Sequence, residues 1–181
     1  VAEPVSCVIG GYHTNYHTVP GTYQHVMGTK KGGNIIILGG CGPMGLGAIS
    51  YGLTFENKPK RIVVTEINDE RINRAREVIS EEEAAAHGVE LIYVNTATMQ
   101  DQVKELMALT DGKGYDDVFV YIPNRAVCEM GNSIMAYDGC MNLFAGPTDM
   151  KFSSMINLYD CHYSRSKIIG STGGTIDDMK E

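Results

Sequence analysis

The stretch from Asn34 to Gly45 constrains the fold of this chain more than any other. Asn34-Ile35-Ile36-Ile37-Leu38-Gly39 is an unbroken apolar run ending in glycine, the pattern of a strand buried on both faces. It runs directly into Gly40-Cys41-Gly42-Pro43-Met44-Gly45, a match to G-x-G-x-x-G, and then into a helical pattern from Pro43 to Phe55. Pro43 suits the first turn of that helix, where a missing N–H costs nothing. Arg61 to Glu66 then reads as a second strand. A strand, a tight turn, a helix and another strand in this order form a right-handed crossover that lays the two strands parallel.

The alternation continues along the chain. Asn68 or Asp69 is placed to cap a helix with Ile72, Ala75, Val78 and Ile79 inward, and Gly88 stops it. Leu91 to Val94 is a short strand, and Gln102 to Leu109 a helix with Val103, Leu106 and Met107 inward. Asp117 to Ile122 is a strand, Arg125 to Met135 a helix, and Cys140 to Ala145 and Lys167 to Gly170 are the last strands. The fold class is therefore α/β, a doubly wound parallel six-stranded Rossmann sheet with helices on both faces. Residues 1–30 differ, with Pro4 starting a helix that runs to about Tyr16.

The glycines of the turn have separate physical tasks. Gly40 allows the tight turn, Gly42 lets the backbone approach a pyrophosphate, and Gly45 lets helix and strand pack closely. Phosphate oxygens meet free N–H groups and the positive end of the helix dipole there. Glu66, at the end of the second strand and about 20 residues on, is placed to accept hydrogen bonds from both ribose hydroxyls. Its charge repels a 2′-phosphate, so the expected cofactor is NAD rather than NADP. Arg71 is placed either to stack on adenine or to pair with Glu66. Asn68 reads as the helix cap.

Composition removes several function classes. The net charge of -7 argues against nucleic acid or an anionic membrane as a partner. No apolar run is long enough to span a bilayer. Five scattered cysteines without CxxC spacing suggest neither a disulfide framework nor a structural zinc site, and fit a cytoplasmic protein. His13 and His17 are spaced to share a helical face, but lack the glutamate of a zinc-protease signature and read as packing residues beside Tyr12 and Tyr16. Cys161-His162 reads as structural within an extended segment. Glu81-Glu82-Glu83 reads as a solvated helix face or helix end, and the ten methionines as core filler.

The chain resembles the zinc-containing medium-chain dehydrogenases, which include alcohol, sorbitol and threonine dehydrogenases. The resemblance rests on Ala2-Glu3-Pro4, Lys31-Gly32-Gly33, the Leu38 to Gly45 stretch and Val63-Val64-Thr65-Glu66. It continues through Gly112 to Asp117, Phe144-Ala145-Gly146-Pro147 and Ile168-Ile169-Gly170-Ser171. It implies reversible hydride transfer between an alcohol carbon and nicotinamide, with a catalytic zinc polarising the oxygen. It also implies that residues 1–30 join a zinc-binding catalytic domain missing from this chain, which begins at Val1, and that 31–181 form the dinucleotide-binding domain.

Zinc then belongs to the full-length parent only, with Glu3 as a ligand or near neighbour. The same resemblance assigns the carboxamide-binding backbone to Ala145-Gly146 and Ser171-Thr172, and a homodimer contact to the Lys167 to Gly170 edge. Tyr121-Ile122-Pro123-Asn124 departs from the family's usual acidic or small residue and glycine after the fourth strand. Ser6 to His13 is similar to the L-sorbose 1-phosphate reductase branch, which implies an alcohol, polyol or sugar-phosphate substrate. Alone, the chain is expected to bind dinucleotide weakly and to turn nothing over.

Two other readings use the same turn. An S-adenosylmethionine (SAM)-dependent methyltransferase also has a glycine turn and a later acid, but Met44 replaces a closely spaced glycine and no Asn/Asp-Pro-Pro-aromatic motif follows the fourth strand. A non-catalytic nucleotide-sensing domain has the same core, since fold alone does not give function.

Overall fold

The computed structural model describes residues 2–181. Helix α1 (Ala2–Thr14) leads into an antiparallel hairpin of β1 (Tyr16–Thr18) and β2 (His25–Met27). The alternating part begins with β3 (Asn34–Leu38), α2 (Pro43–Thr54) and β4 (Arg61–Glu66). Two short helices, α3 (Asp69–Val78) and α4 (Glu81–Ala86), precede β5 (Glu90–Asn95). Then come α5 (Gln102–Ala108), β6 (Tyr115–Val120), α6 (Arg125–Ser133) and β7 (Met135–Leu143). Helix α7 (Leu158–Tyr163) and β8 (Lys167–Gly170) complete the series.

The six long-range strands form one parallel sheet in the order β5-β4-β3-β6-β7-β8. The chain therefore builds outward from β3 in one direction, returns to β6 on its other side, and builds outward again. The boundary between β3 and β6 is the switch point, where the loops at the carboxyl ends diverge and leave a crevice. All five residues of β3 are buried, and their alternation divides them between two cores. Ile35 and Ile37 join Ile62, Val64, Ala48 and Ile49 on one face. Ile36 and Leu38 join Val63, Val118, Val120 and Met141 on the other. This is the double burial that the unbroken apolar run implies.

The sequence expectations need correction at several boundaries. The first helix ends at Thr14, so Tyr16 lies in β1, and His13 and His17 share no helical face. The hairpin went unforeseen because three-residue strands carry no usable periodicity. The helix expected to run from residue 68 to Gly88 is two helices. The Ser80 hydroxyl accepts the Glu83 N–H and starts α4, leaving Val78 at 56 % exposure rather than in the core. Val103 is likewise more outward than expected, on the outer side of α5. Strand β7 begins at Met135, five residues before the expected start, through the register shift between Tyr115 and Asp117 on β6. Cys161 and His162 lie in α7, not in an extended segment. The triple glutamate is the first turn of α4, where its charge suits the helix dipole. No helix among the described residues is long and apolar enough to cross a membrane.

Candidate functional site

The glycine-rich turn sits at the carboxyl end of β3, beside the switch point. Its backbone is tied to the neighbouring strand, because the N–H groups of Gly39 and Gly40 both reach the Thr65 carbonyl at 3.1 Å. The left-handed residue of the turn is Gly39, at φ +78°, so the chain reversal assigned to Gly40 belongs one residue earlier. Gly40 is needed for space: a Cβ there would lie 2.7 Å from both Ile37 and Val64 side chains. Gly45 meets the most severe restriction, since its Cβ would fall 2.1 Å from the Gly40 carbonyl oxygen. Gly42, by contrast, opens outward onto nothing within 4 Å.

That opening faces the start of α2. Gly42 is the residue before the helix, no side chain caps the first turn, and Pro43 occupies its entry. The turn thus offers bare backbone N–H groups and the positive end of a helix dipole toward open space. Glu66 ends β4 next to it, with its side chain 4 % exposed. One carboxylate oxygen accepts the Ile67 N–H at 2.9 Å, and the other lies 3.7 Å from the Arg71 guanidinium. Arg71 therefore takes the ion-pair alternative, and Asn68 is the cap, accepting the Arg71 N–H. Cys41, buried within the turn, has its thiol pushed up to about 11 by burial first and the Glu66 charge second, so it stays protonated.

A cleft of about 260 Å³ lies on the other side of the turn, at the carboxyl ends of the strands. Met44, Gly146, Ser171 and Thr172 line it, together with Glu3, Pro4 and Cys7 from the first turns of α1. Residues from the two ends of the chain thus meet at one crevice. Ala145 is less available, because its N–H is given to the Val120 carbonyl at 3.0 Å. Glu3 is exposed, and its carboxylate accepts the Cys7 thiol at 3.2 Å. Burial first, and Glu3 second, raise the Cys7 thiol above its ordinary value. No group of three or more His, Cys, Asp or Glu side chains suited to a metal occurs among the described residues. Glu3 and Cys7 are the two side chains of metal-binding type that line this cleft.

Several residues at the site were not found from the sequence. Ile122 leans over the turn so closely that a Cβ on Gly39 would lie 2.2 Å from it. Tyr121 stacks on Phe144 at 4.3 Å between ring centres, under the same crevice. The departure Tyr121-Ile122 was visible, but only its location, not its contacts. Asn142, fully buried in β7, reaches both α1 and Ser171, and an isolated Asn in an apolar strand gave no signal of that role. A second, largely apolar cleft of about 520 Å³ lies beside the hairpin, toward the amino ends of β7 and β8, and none of the predicted site residues line it.

Comparison with known proteins bears on the fold and the family. Residues 43–181 match the family model described as zinc-binding dehydrogenase. The chain is 48 % identical over its whole length to mannitol-1-phosphate 5-dehydrogenase of Aliivibrio fischeri, covering 43 % of that protein. It is 42 % identical over 99 % of its length to L-sorbose 1-phosphate reductase of Klebsiella pneumoniae, covering 42 % of it. The chain thus spans less than half the length of these relatives. Among solved structures, a Sinorhizobium meliloti protein bound to NADP superimposes with a TM-score of 0.73 at 18 % identity, over 99 % of this chain and 45 % of that one. The solved structures share this fold, and the chain belongs to the zinc-binding dehydrogenase family.

Proposed function

We propose that this chain is the NAD(H)-binding domain of an oxidoreductase acting on an alcohol, polyol or sugar phosphate. The observation that carries the reading is the uncapped start of α2, open at Gly42 and flanked by buried Glu66. The turn Gly40-Cys41-Gly42-Pro43-Met44-Gly45 holds the pyrophosphate with backbone N–H groups. Glu66 accepts from the ribose hydroxyls, and Arg71 holds that carboxylate in place while closing the outer side. A 2′-phosphate would lie against the Glu66 charge, which supports NAD(H) over NADP(H).

The cleft lined by Met44, Gly146, Ser171 and Thr172 would hold the nicotinamide half. When bound, the cofactor supplies or accepts a hydride at C4 of its nicotinamide. The protein's own part is to orient that ring. Met44 would pack against it, and the backbone of Gly146 and of Ser171-Thr172, with the Ala145 carbonyl, would address the carboxamide. Glu3 stands at the cleft edge, placed to add one oxygen donor to a zinc whose other ligands lie outside this chain. Residues 1–30 then join the cofactor domain, 31–181, to the remainder of the enzyme. The names of the two relatives, both enzymes of sugar or polyol phosphates, support that substrate class. The free cysteines suit the cytoplasm, and the unpaired edge of β8 suits a homodimer.

Titration with NADH and NADPH tests the reading. NADH is expected to bind more tightly, and Glu66→Ala to remove at least about tenfold of that preference. Binding of neither dinucleotide, or an unchanged preference in Glu66→Ala, would overturn it.

A further inference from the structure

We infer that Asn142 is a positioning residue that sets the nicotinamide side of the cleft by holding its two walls in register. The inference rests on the dinucleotide reading above. Asn142 lies in β7 between Met141 and Leu143, and is completely buried. A buried amide is costly unless hydrogen-bonded, and an apolar side chain would fill the space without that cost. Here the amide is used from both ends. Its Nδ2 donates to the Gly11 carbonyl at 3.1 Å and to the Asn15 Oδ1 at 3.0 Å. Its Oδ1 accepts the Ser171 hydroxyl at 3.0 Å.

The two sets of partners belong to the two walls. Gly11 lies in the helix whose first turns bring Glu3, Pro4 and Cys7 to the cleft, and Asn15 follows its end. Ser171 is the first residue after β8, and with Thr172 forms the opposite wall. The strand partner of Asn142 on β8 is Ile169, two residues before Ser171, so the amide reaches forward to the residue just past the sheet. The walls also touch directly, since a Cβ on Gly174 would fall 2.4 Å from the Ser6 carbonyl oxygen. That contact limits how near they come, and the Asn142 amide decides where along α1 the Ser171 hydroxyl and its backbone are held. The turn and Glu66, which take the adenosine half, make no hydrogen bond to it.

The test compares NADH with ADP-ribose, which lacks the nicotinamide, in the full-length protein. Asn142→Leu is expected to weaken NADH about tenfold while leaving ADP-ribose unchanged. Ser171→Ala, which removes only the hydroxyl end of this network, is expected to shift the same ratio by less, and the double variant to lose no more than Asn142→Leu alone. Equal losses for both ligands, an unchanged NADH to ADP-ribose ratio, or additive effects would overturn the inference. Should Asn142→Leu fail to fold, Ser171→Ala at the cleft surface still reads the same ratio. Failure of the unmodified protein to bind either ligand would instead bring down the dinucleotide reading, and this inference with it.

Discussion

A single methyl group separates the tasks of the turn's glycines. At Gly45 it would collide with the carbonyl of Gly40, a backbone atom that cannot rotate away. At Gly42 it would enter open space. Gly45→Ala is therefore expected to cost about 2–3 kcal/mol of stability and to abolish dinucleotide binding together. Gly42→Ala should leave stability within about 0.5 kcal/mol and weaken NADH alone. Denaturant unfolding and NADH titration of the two variants separate these outcomes. The residue scale is also where the sequence was both most and least readable. The glycine spacing and Glu66 stood out because the motif binds types to positions. Gly39 as the left-handed residue did not, since three glycines lie close together and only the backbone angle distinguishes them. Asn142 was hidden for a different reason: its partners, Gly11, Asn15 and Ser171, come from both ends of the chain.

Among the elements, those with a strong period and a glycine or proline boundary were legible. β3, α2 and β4 fall within a residue of their expected limits, because burial on both faces and Pro43 leave few alternatives. The region between β4 and β5 was misread as one helix. Its apolar spacing continues past residue 79, but Ser80 offers the backbone a cap and the chain breaks there. Replacing that hydroxyl tests the explanation. Ser80→Ala is expected to destabilise the protein by about 1 kcal/mol, measured by urea unfolding, and to leave NADH affinity unchanged, since Ser80 lines neither the turn nor the cleft. The hairpin β1–β2 and helix α7 were missed because each is too short for its pattern to exceed chance, and packing against the rest of the molecule decides them.

At the scale of the whole molecule, the amino-terminal segment is joined to the sheet through a buried charged network. Asp117 is fully buried in β6 and accepts from the Asn15 amide at 2.7 Å, the His17 Nε2 at 3.1 Å and the Lys30 N–H at 2.9 Å. The other ring nitrogen of His17 lies 3.1 Å from the Asp138 carbonyl, so both nitrogens find acceptors when the ring is protonated. Burial opposes that charge, but Asp117 and the Asp138 carbonyl outweigh it and raise the His17 pKa above its ordinary value. A raised folded-state value means that the stabilisation is complete below the unfolded pKa of about 6.5 and is lost as pH rises through the folded one. Unfolding free energy should therefore decline from about neutral pH upward, and His17→Gln should flatten that decline. None of this was legible beforehand, because His17 was paired in sequence with His13, whereas the fold gives it to Asp117. The strand order carries a further consequence, for the making of the protein. β3 finds β4 almost as soon as both have been synthesised, but its other edge must wait for Asp117–Val120. Throughout that interval a nascent chain displays an open strand edge, with apolar side chains from Ile35 to Leu38, the kind of surface prone to mispairing. The central strand that later supports the crevice is thus the element for which a chaperone, or a slow ribosome, matters most.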